Sequence, residues 1–344
     1  MTGFRYIIIL FLILPLRCQE KDTTEEDDIR DDNHMVAKYI ALLLFIIFLL
    51  YGFISNILMG VVLFHRRREN YYSYEFILIA IQLIICNFTT FVPQMVVVLP
   101  EMLQNKNNSC PNETTWMNQT FSTLNTFSIF SVLHFSLLLA LNRFVALILP
   151  KYYAFFESTR LHLIIAFVWL SSLVITTADY YYCTRRFHVQ SLSWIGDCTK
   201  SNEAGNLWWR IRFGWALIIP YAMFIMYIAI FFNIRRITKI RTGHKANVVK
   251  IYHYEWSMLL QAAWNCGILE AGIILFHFLS PILIQIFGKE MNIRSKIFIN
   301  CYIIFTCSIL PTIHFIHSKQ ARDTIKHQFY KCLHMRNKNR LSQM

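Results

Sequence analysis

Charged residues are scarce in this chain of 344 residues, at 15% of the sequence, whereas soluble domains carry about a quarter. Hydrophobic residues reach 56%, so the composition excludes an ordinary water-soluble domain. Proline and glycine are also few, with 8 and 10 residues, and no internal repeat is visible. The lack of repeats argues against a transporter built from two related halves.

Sequence patterns that carry catalysis or metal binding are missing as well. The 12 histidines include no H-x-x-x-H pair, and neither a glycine-rich phosphate loop nor a serine-centred elbow occurs. We therefore expect no enzyme, no metal site and no cofactor.

Long apolar runs are abundant. A helix needs about 20 apolar residues to cross a bilayer, and six runs without Asp, Glu, Lys or Arg come close to or exceed this length: 39–65, 76–100, 114–142, 161–178, 213–234 and 297–318. A seventh run, 256–279, contains one acid, Glu270. The sequence therefore predicts an all-α integral membrane protein in which residues 36–317 form a seven-helix bundle.

The N-terminal apolar run, residues 6–16, is too short to cross a bilayer and follows Arg5. It predicts a signal peptide over residues 1–19, with an uncleaved anchor as the alternative. Residues 20–35 then form an acidic tail.

The charge distribution predicts the orientation of the chain. Residues 20–34 hold eight acids and two bases, whereas residues 233–254 hold six bases and no acid, and the 318–344 tail is basic. Lys and Arg favour the cytoplasmic side, so we expect a multi-pass plasma-membrane protein with its N-terminus outside and its C-terminus inside. The formal charge of +13 thus indicates contact with a bilayer and no nucleic acid. The mildly basic 179–212 loop is an exception on the outer side.

Two modifications fit this orientation. Sequons at Asn107, Asn112 and Asn118 fall in one predicted outer loop. After Ser318, apolar residues recur at helical spacing among basic ones, which predicts an amphipathic helix on the inner membrane surface. Cys332 would then be placed for palmitoylation.

The end of the third apolar run carries a three-residue motif, and two further residues follow it at characteristic distances along the chain. Asn142, Arg143 and Phe144 are followed by Pro150 and, in the fourth run, by Trp169. This pattern resembles that of rhodopsin-like G-protein-coupled receptors. Together with paired cysteines in the second outer loop, it is similar to the nematode serpentine chemoreceptors of class x.

Other markers of the resemblance have structural roles in the family. Asn56 resembles the first-helix asparagine, Pro220 the fifth-helix proline and Pro311 the proline of the seventh helix. Because a polar side chain in lipid needs a partner on another helix, we expect Asn56 to serve packing.

The resemblance implies coupling to a heterotrimeric G protein through Arg143 and its neighbours Asn142 and Phe144. Asn142 replaces the acid that usually pairs with the arginine. Glu255 is therefore a candidate partner for Arg143 in the resting state.

The class x resemblance also implies a disulfide between Cys183 and Cys198. Rhodopsin-like receptors in general favour Cys110 with Cys198, although Cys110 lies 33 residues before Arg143, farther than that pattern expects. Both pairings stay open at this point.

The family's ligand pocket lies between the outer halves of helices three, five, six and seven. Its candidate residues here are Asn125, Phe127, Ile129, Phe130, Phe213, Ala216, Glu270 and Asn300. Asn125 stands where amine receptors carry an aspartate, so the resemblance disfavours a biogenic amine. Glu270 would meet a cationic ligand or pair with His134 or His277.

The resemblance therefore implies a chemosensory receptor for a small molecule that signals through a G protein. The alternatives are a neuropeptide receptor and a seven-helix membrane scaffold without signalling.

Overall fold

The computed structural model describes residues 29, 35–68, 73–103, 115–156, 158–189, 192–198, 202–241, 263–288, 291–328 and 330. In these ranges the helices are α1 (Met35–Arg68), α2 (Tyr74–Pro93, a π turn Gln94–Val98, then Leu99–Leu103), α3 (Thr115–Ile148), α4 (Ser158–Tyr182), α5 (Asn202–Arg241), α6 (Ala263–Ile274, a π turn Leu275–Leu279, then Ser280–Phe287), α7 (Met291–Thr306, then Ile309–His317) and α8 (319–328). A 3-10 helix, Pro150–Phe156, follows α3, and two strands, β1 (Thr184–His188) and β2 (Ser193–Asp197), follow α4.

Five of these helices, α1 to α5, are long and apolar enough to cross a membrane. The two halves of α7 add a sixth if they form one span, bent by 60°. Helix α6 is described only from Ala263 onward, and its first segment is a shorter apolar helix. The predicted all-α membrane fold is confirmed, whereas the signal peptide and most of the acidic tail lie outside the described residues.

The break in α7 has a cause in the sequence. Because proline has no N–H, the carbonyl four residues before Pro311 loses its helical donor. That carbonyl belongs to Cys307, and the Asn56 side-chain nitrogen of α1 donates to it across 3.0 Å. Asn87 of α2 in turn donates to Asn56 Oδ1 at 3.0 Å. Asn56 thus connects α1, α2 and α7.

The close approach of α1 to α2 requires a glycine one turn before this junction. A side chain on Gly52 would place its Cβ 2.6 Å from the ring of Phe91. The Gly52 carbonyl also accepts a 2.8 Å hydrogen bond from Asn56. Small residues are enriched where membrane helices pack this closely.

Helix α3 lies at the centre of the packing and contributes to two apolar clusters. The α2–α3–α4 cluster contains Phe76, Leu83, Phe135, Leu138, Leu139, Ile165 and Val168. The α3–α5–α6 cluster contains Phe130, Leu133, Ile219, Met223, Tyr227 and Cys266. The central helix is therefore fixed on opposite sides by separate sets of neighbours.

The β1–β2 hairpin covers one end of the bundle, called here the hairpin end. The backbone N–H of Phe187 donates to Asn118 Oδ1 of α3 at 2.9 Å. Asn300 of α7 donates to the carbonyl of Leu192, a residue with a positive φ of 44°. Leucine rarely adopts this backbone conformation, so the hydrogen bond helps to hold the turn in place.

Helix α8 packs at the opposite end, called here the Arg143 end. Ala321 and Thr324 are buried, and the guanidinium of Arg322 donates to the carbonyls of Phe315 and Ile316 at 2.7 and 2.6 Å. These bonds satisfy carbonyls in the last turn of α7. Cys332 lies outside the described residues, so its palmitoylation stays a prediction.

Candidate functional site

The Arg143 end of α3 combines a buried amide with a guanidinium on an aromatic face. Asn142 is 1% exposed. The Arg143 Cζ atom lies 4.8 Å from the ring centroid of Phe76, which lies in the first turn of α2. A guanidinium within about 6 Å of a ring centroid is attracted to the ring face. Phe144 packs against both apolar clusters, so α3 is firmly held here.

A second contact ties the segment after α3 to the start of α2. The phenol of Tyr153 donates to Glu75 Oε2 at 3.0 Å. Burial, followed by the charge of Glu75, raises the pKa of Tyr153, and the positive charge of Arg143 opposes that change. The phenol therefore stays protonated and remains a donor. Glu75 of α2 and Arg143 of α3 thus both act electrostatically on the Tyr153 phenol.

Glu255, the predicted partner of Arg143, lies outside the described residues. Among the described residues, α2 and the 3-10 helix both contribute side chains near Arg143. Pro150 begins that 3-10 helix and is exposed at the surface. The short helix directs Tyr153 towards α2.

The remaining markers of the motif lie at contacts between helices. Trp169 of α4 donates from its indole nitrogen to Gln82 Oε1 of α2 at 3.1 Å. The carbonyl of Pro220 in α5 accepts from the Cys266 thiol of α6 at 3.4 Å. Trp169 and Pro220 therefore both take part in contacts between helices.

The apolar residues predicted to line a ligand pocket fall in packed interfaces. Phe127 stacks on Trp169 with ring centroids 5.5 Å apart, which directs it towards α4. Phe130 belongs to the α3–α5–α6 cluster, and Ala216 packs against that cluster. Phe213 stacks on Trp209, which lies one turn earlier in α5. In the described part of the chain, these four residues contact different neighbours.

The polar candidates differ from one another. The Asn300 side chain is already hydrogen-bonded to the hairpin, at the carbonyl of Leu192. Asn125 is 4% exposed, and its Oδ1 atom has no hydrogen-bond partner among the described residues. The Glu270 Oε2 atom of α6 likewise has none there. Ile129, one turn after Asn125, is 42% exposed although it lies on the central helix. Asn125 and Glu270 thus each keep one side-chain oxygen atom without a partner among the described residues.

His134 of α3 does not pair with Glu270. Its Nδ1 atom lies 3.0 Å from the hydroxyl of Ser172, and its Nε2 atom accepts from the indole of Trp215 at 3.0 Å. Nε2 must therefore be unprotonated, and a neutral ring carries its proton on Nδ1. His134 thus joins α3 to α4 and α5. The side chain of His277, the other predicted partner, lies outside the described set.

The charged cluster at the hairpin end was missed by sequence reasoning. Asp179, the acid near the end of α4, is 3% exposed. Arg185 Nε of β1 lies 3.0 Å from Oδ2, and Arg212 Nη1 of α5 lies 3.0 Å from Oδ1. Trp208 donates to Oδ1 at 3.3 Å, and the Thr126 hydroxyl lies 3.4 Å from Oδ2. The sequence signal for this cluster was the mildly basic 179–212 loop on the predicted outer side, because Lys and Arg otherwise favour the cytoplasmic side.

The disulfide and the sequons can also be placed. Cys183 and Cys198 form the disulfide and enclose the hairpin, while Cys110 lies outside the described residues. Asn118 is 8% exposed, and its side-chain nitrogen donates to Glu101 at 2.8 Å. Because that nitrogen is the atom that would carry a sugar, the fold speaks against a glycan on Asn118. Asn107 and Asn112 are outside the described residues and stay predictions.

An all-α bundle with a disulfide-bonded hairpin at one end and an arginine motif on the central helix at the other has the architecture of a G-protein-coupled receptor. The chain matches the family described as Serpentine type 7TM GPCR chemoreceptor Srx over residues 45–291. This stretch is well over half of the chain, and the chain belongs to that family. The match confirms the resemblance to the class x serpentine receptors. No curated protein is similar enough to count as a match.

Proposed function

We propose that this family member detects a small molecule at the hairpin end and activates a heterotrimeric G protein at the Arg143 end. The proposal places the hairpin end outside the cell, the Arg143 end in the cytoplasm and the receptor in the plasma membrane. Membership in a chemoreceptor family supports it. The observation that carries it is the position of Arg143, held against Phe76 at the end of a helix that spans the whole bundle.

A change at the hairpin end can reach Arg143 through α3. The same helix holds Asn118 under the hairpin, Asn125 in the predicted pocket and Arg143 at the far end. Helix α3 also packs against α5 and α6 in one cluster. A ligand that binds one arrangement of these helices more tightly than another shifts the population between them.

Oxygen atoms without partners on Asn125 and Glu270 favour a ligand that brings hydrogen-bond donors. This chemistry separates the proposed receptor from a scaffold, which would gain nothing from keeping buried acceptors unpaired.

The test is nucleotide exchange on G proteins in membranes that contain the receptor, with volatile and secreted small-molecule fractions as probes. We expect a response in the wild type that Arg143→Ala lowers at least about tenfold, as for loss of an interaction worth 1.4 kcal/mol or more. Arg160→Ala is the matched control, because Arg160 is an exposed arginine at the same end, 5.6 Å from the Phe155 ring centroid.

Equal surface expression of all three forms is required. A response that survives undiminished in Arg143→Ala would contradict coupling through this residue. Silence of the wild type across all fractions would favour the scaffold.

A further inference from the structure

We propose that a single monatomic anion of the size of chloride binds in a polar cleft at the hairpin end, between α3, α4 and the start of β1. Nine residues line this cleft: Gln119, Ser122, Thr123, Thr126, Thr176, Asp179, Tyr180, Cys183 and Arg185. Five of the nine carry hydroxyl groups. The site is separate from the pocket candidates Asn125 and Glu270, which do not line it.

Among the residues that the structure describes, the charges around the cleft do not balance. Two guanidinium groups, those of Arg185 and Arg212, share the carboxylate of Asp179, so the three side chains together carry one excess positive charge. They are largely removed from water, with exposed side-chain fractions of 17% and 14% for the arginines and 4% for the aspartate. A charge in such surroundings is costly unless it is compensated. An anion would supply the compensation.

One buried donor at the cleft has no partner among the described residues, and a second is poorly aligned with its acceptor. The hydroxyl of Ser122, a residue 2% exposed, has no hydrogen-bond partner among the described residues. The Arg185 Nε atom is within ionic distance of Asp179, yet its N–H is not directed into a hydrogen bond. Buried donors are normally paired, and each unpaired one costs about 1–3 kcal/mol. Both donors line the same cleft and suit a halide ion.

Three neighbouring hydroxyls, all on threonines, already take part in hydrogen bonds. Thr123 donates to the carbonyl of Gln119 at 2.9 Å, and Thr176 donates to that of Ser172 at 2.7 Å. Thr126 accepts from the Arg185 guanidinium at 3.3 Å. Among the buried donors of the cleft, the Ser122 hydroxyl has no partner among the described residues and the Arg185 Nε–H is not aligned with Asp179, so the anion would lie beside these two groups.

The size of the cleft selects the kind of ligand. It encloses about 10 Å³, which is room for about one water molecule or one monatomic ion. A space of this size fits a monatomic ion better than sulfate, phosphate or an organic carboxylate. A water molecule would satisfy the Ser122 hydroxyl but would leave the excess charge uncompensated, so the charge favours the anion.

The experiment compares the purified full-length receptor in sodium chloride and in sodium gluconate at equal ionic strength. A ligand that binds only the folded state raises its stability with concentration, so we expect chloride to raise the thermal unfolding midpoint by about 2 °C or more. Bromide should act like chloride, and Ser122→Ala should abolish the difference between the two salts.

Ser131→Ala is the matched control. Ser131 is a fully buried serine on the same helix whose hydroxyl also has no partner among the described residues, but it does not line the cleft. This variant should keep the chloride effect. If it loses the effect as Ser122→Ala does, or if Ser122→Ala keeps it, the site is wrongly placed.

A direct measurement covers the case in which Ser122→Ala does not fold. The ³⁵Cl resonance of a chloride solution should broaden in the presence of wild-type receptor and sharpen again when bromide is added. Equal midpoints in chloride and gluconate together with no broadening would mean that the cleft holds only water, and would overturn the proposal.

Discussion

Asp179 illustrates how one residue satisfies several groups at once. Its carboxylate lies against Arg185 of β1 and Arg212 of α5, and it accepts from Trp208. The three partners come from two elements that follow α4 in the chain. Asp179 therefore fixes both the hairpin and the start of α5 against the end of α4.

Replacing this carboxylate tests its contribution to stability. We expect Asp179→Asn to lower the free energy of unfolding by about 2–3 kcal/mol, because two arginines would lose their counter-charge. This is below the roughly 3–5 kcal/mol for fully buried pairs, since both guanidinium groups keep some contact with water. Thermal unfolding in detergent measures the change. Glu203→Gln, an exposed acid in the first turn of α5, is the control and should change little.

At the scale of elements, the apolar runs predicted α1 to α5 because each bilayer crossing needs a long uncharged segment. The helices extend beyond the predicted runs, as α5 does at Asn202–Arg241 against 213–234. The reason is that a charged residue ends an apolar run without ending a helix. The hairpin was not predicted, because the residues that hold it in place, Asn118 and Asn300, are distant from it in sequence.

The disulfide that closes the hairpin gives a test with a distinct pattern. Cys183→Ser, Cys198→Ser and the double variant should lose the same stability, about 3 kcal/mol for a bridge of this separation, 15 residues. The thermal midpoint measures this loss, and Cys301→Ser, a change at a free buried cysteine, is the control for handling the thiols. If Cys198 paired with Cys110 instead, Cys183→Ser alone would leave the midpoint unchanged.

At the scale of the whole molecule, the two ends of the bundle differ in chemistry. The hairpin end carries the disulfide, which forms in oxidising compartments, and the Arg143 end carries the basic helix α8. Sequence reasoning could predict this polarity from charge alone. It could not predict which candidate residues share a site, because Phe127 and Phe130 occupy the same helix yet pack against different neighbours.

This polarity leads to a prediction about glycans. If the hairpin end is outside the cell, Asn107 and Asn112 are open to glycosylation, and enzymatic removal of N-glycans should shift the mobility of the receptor on a gel. Asn107→Gln with Asn112→Gln should abolish that shift. Asn118→Gln should leave it unchanged, because Asn118 is buried and its nitrogen donates to Glu101. A wild-type receptor without glycans would argue against the orientation, whereas a smaller shift in Asn118→Gln would contradict the packing of α3 beneath the hairpin.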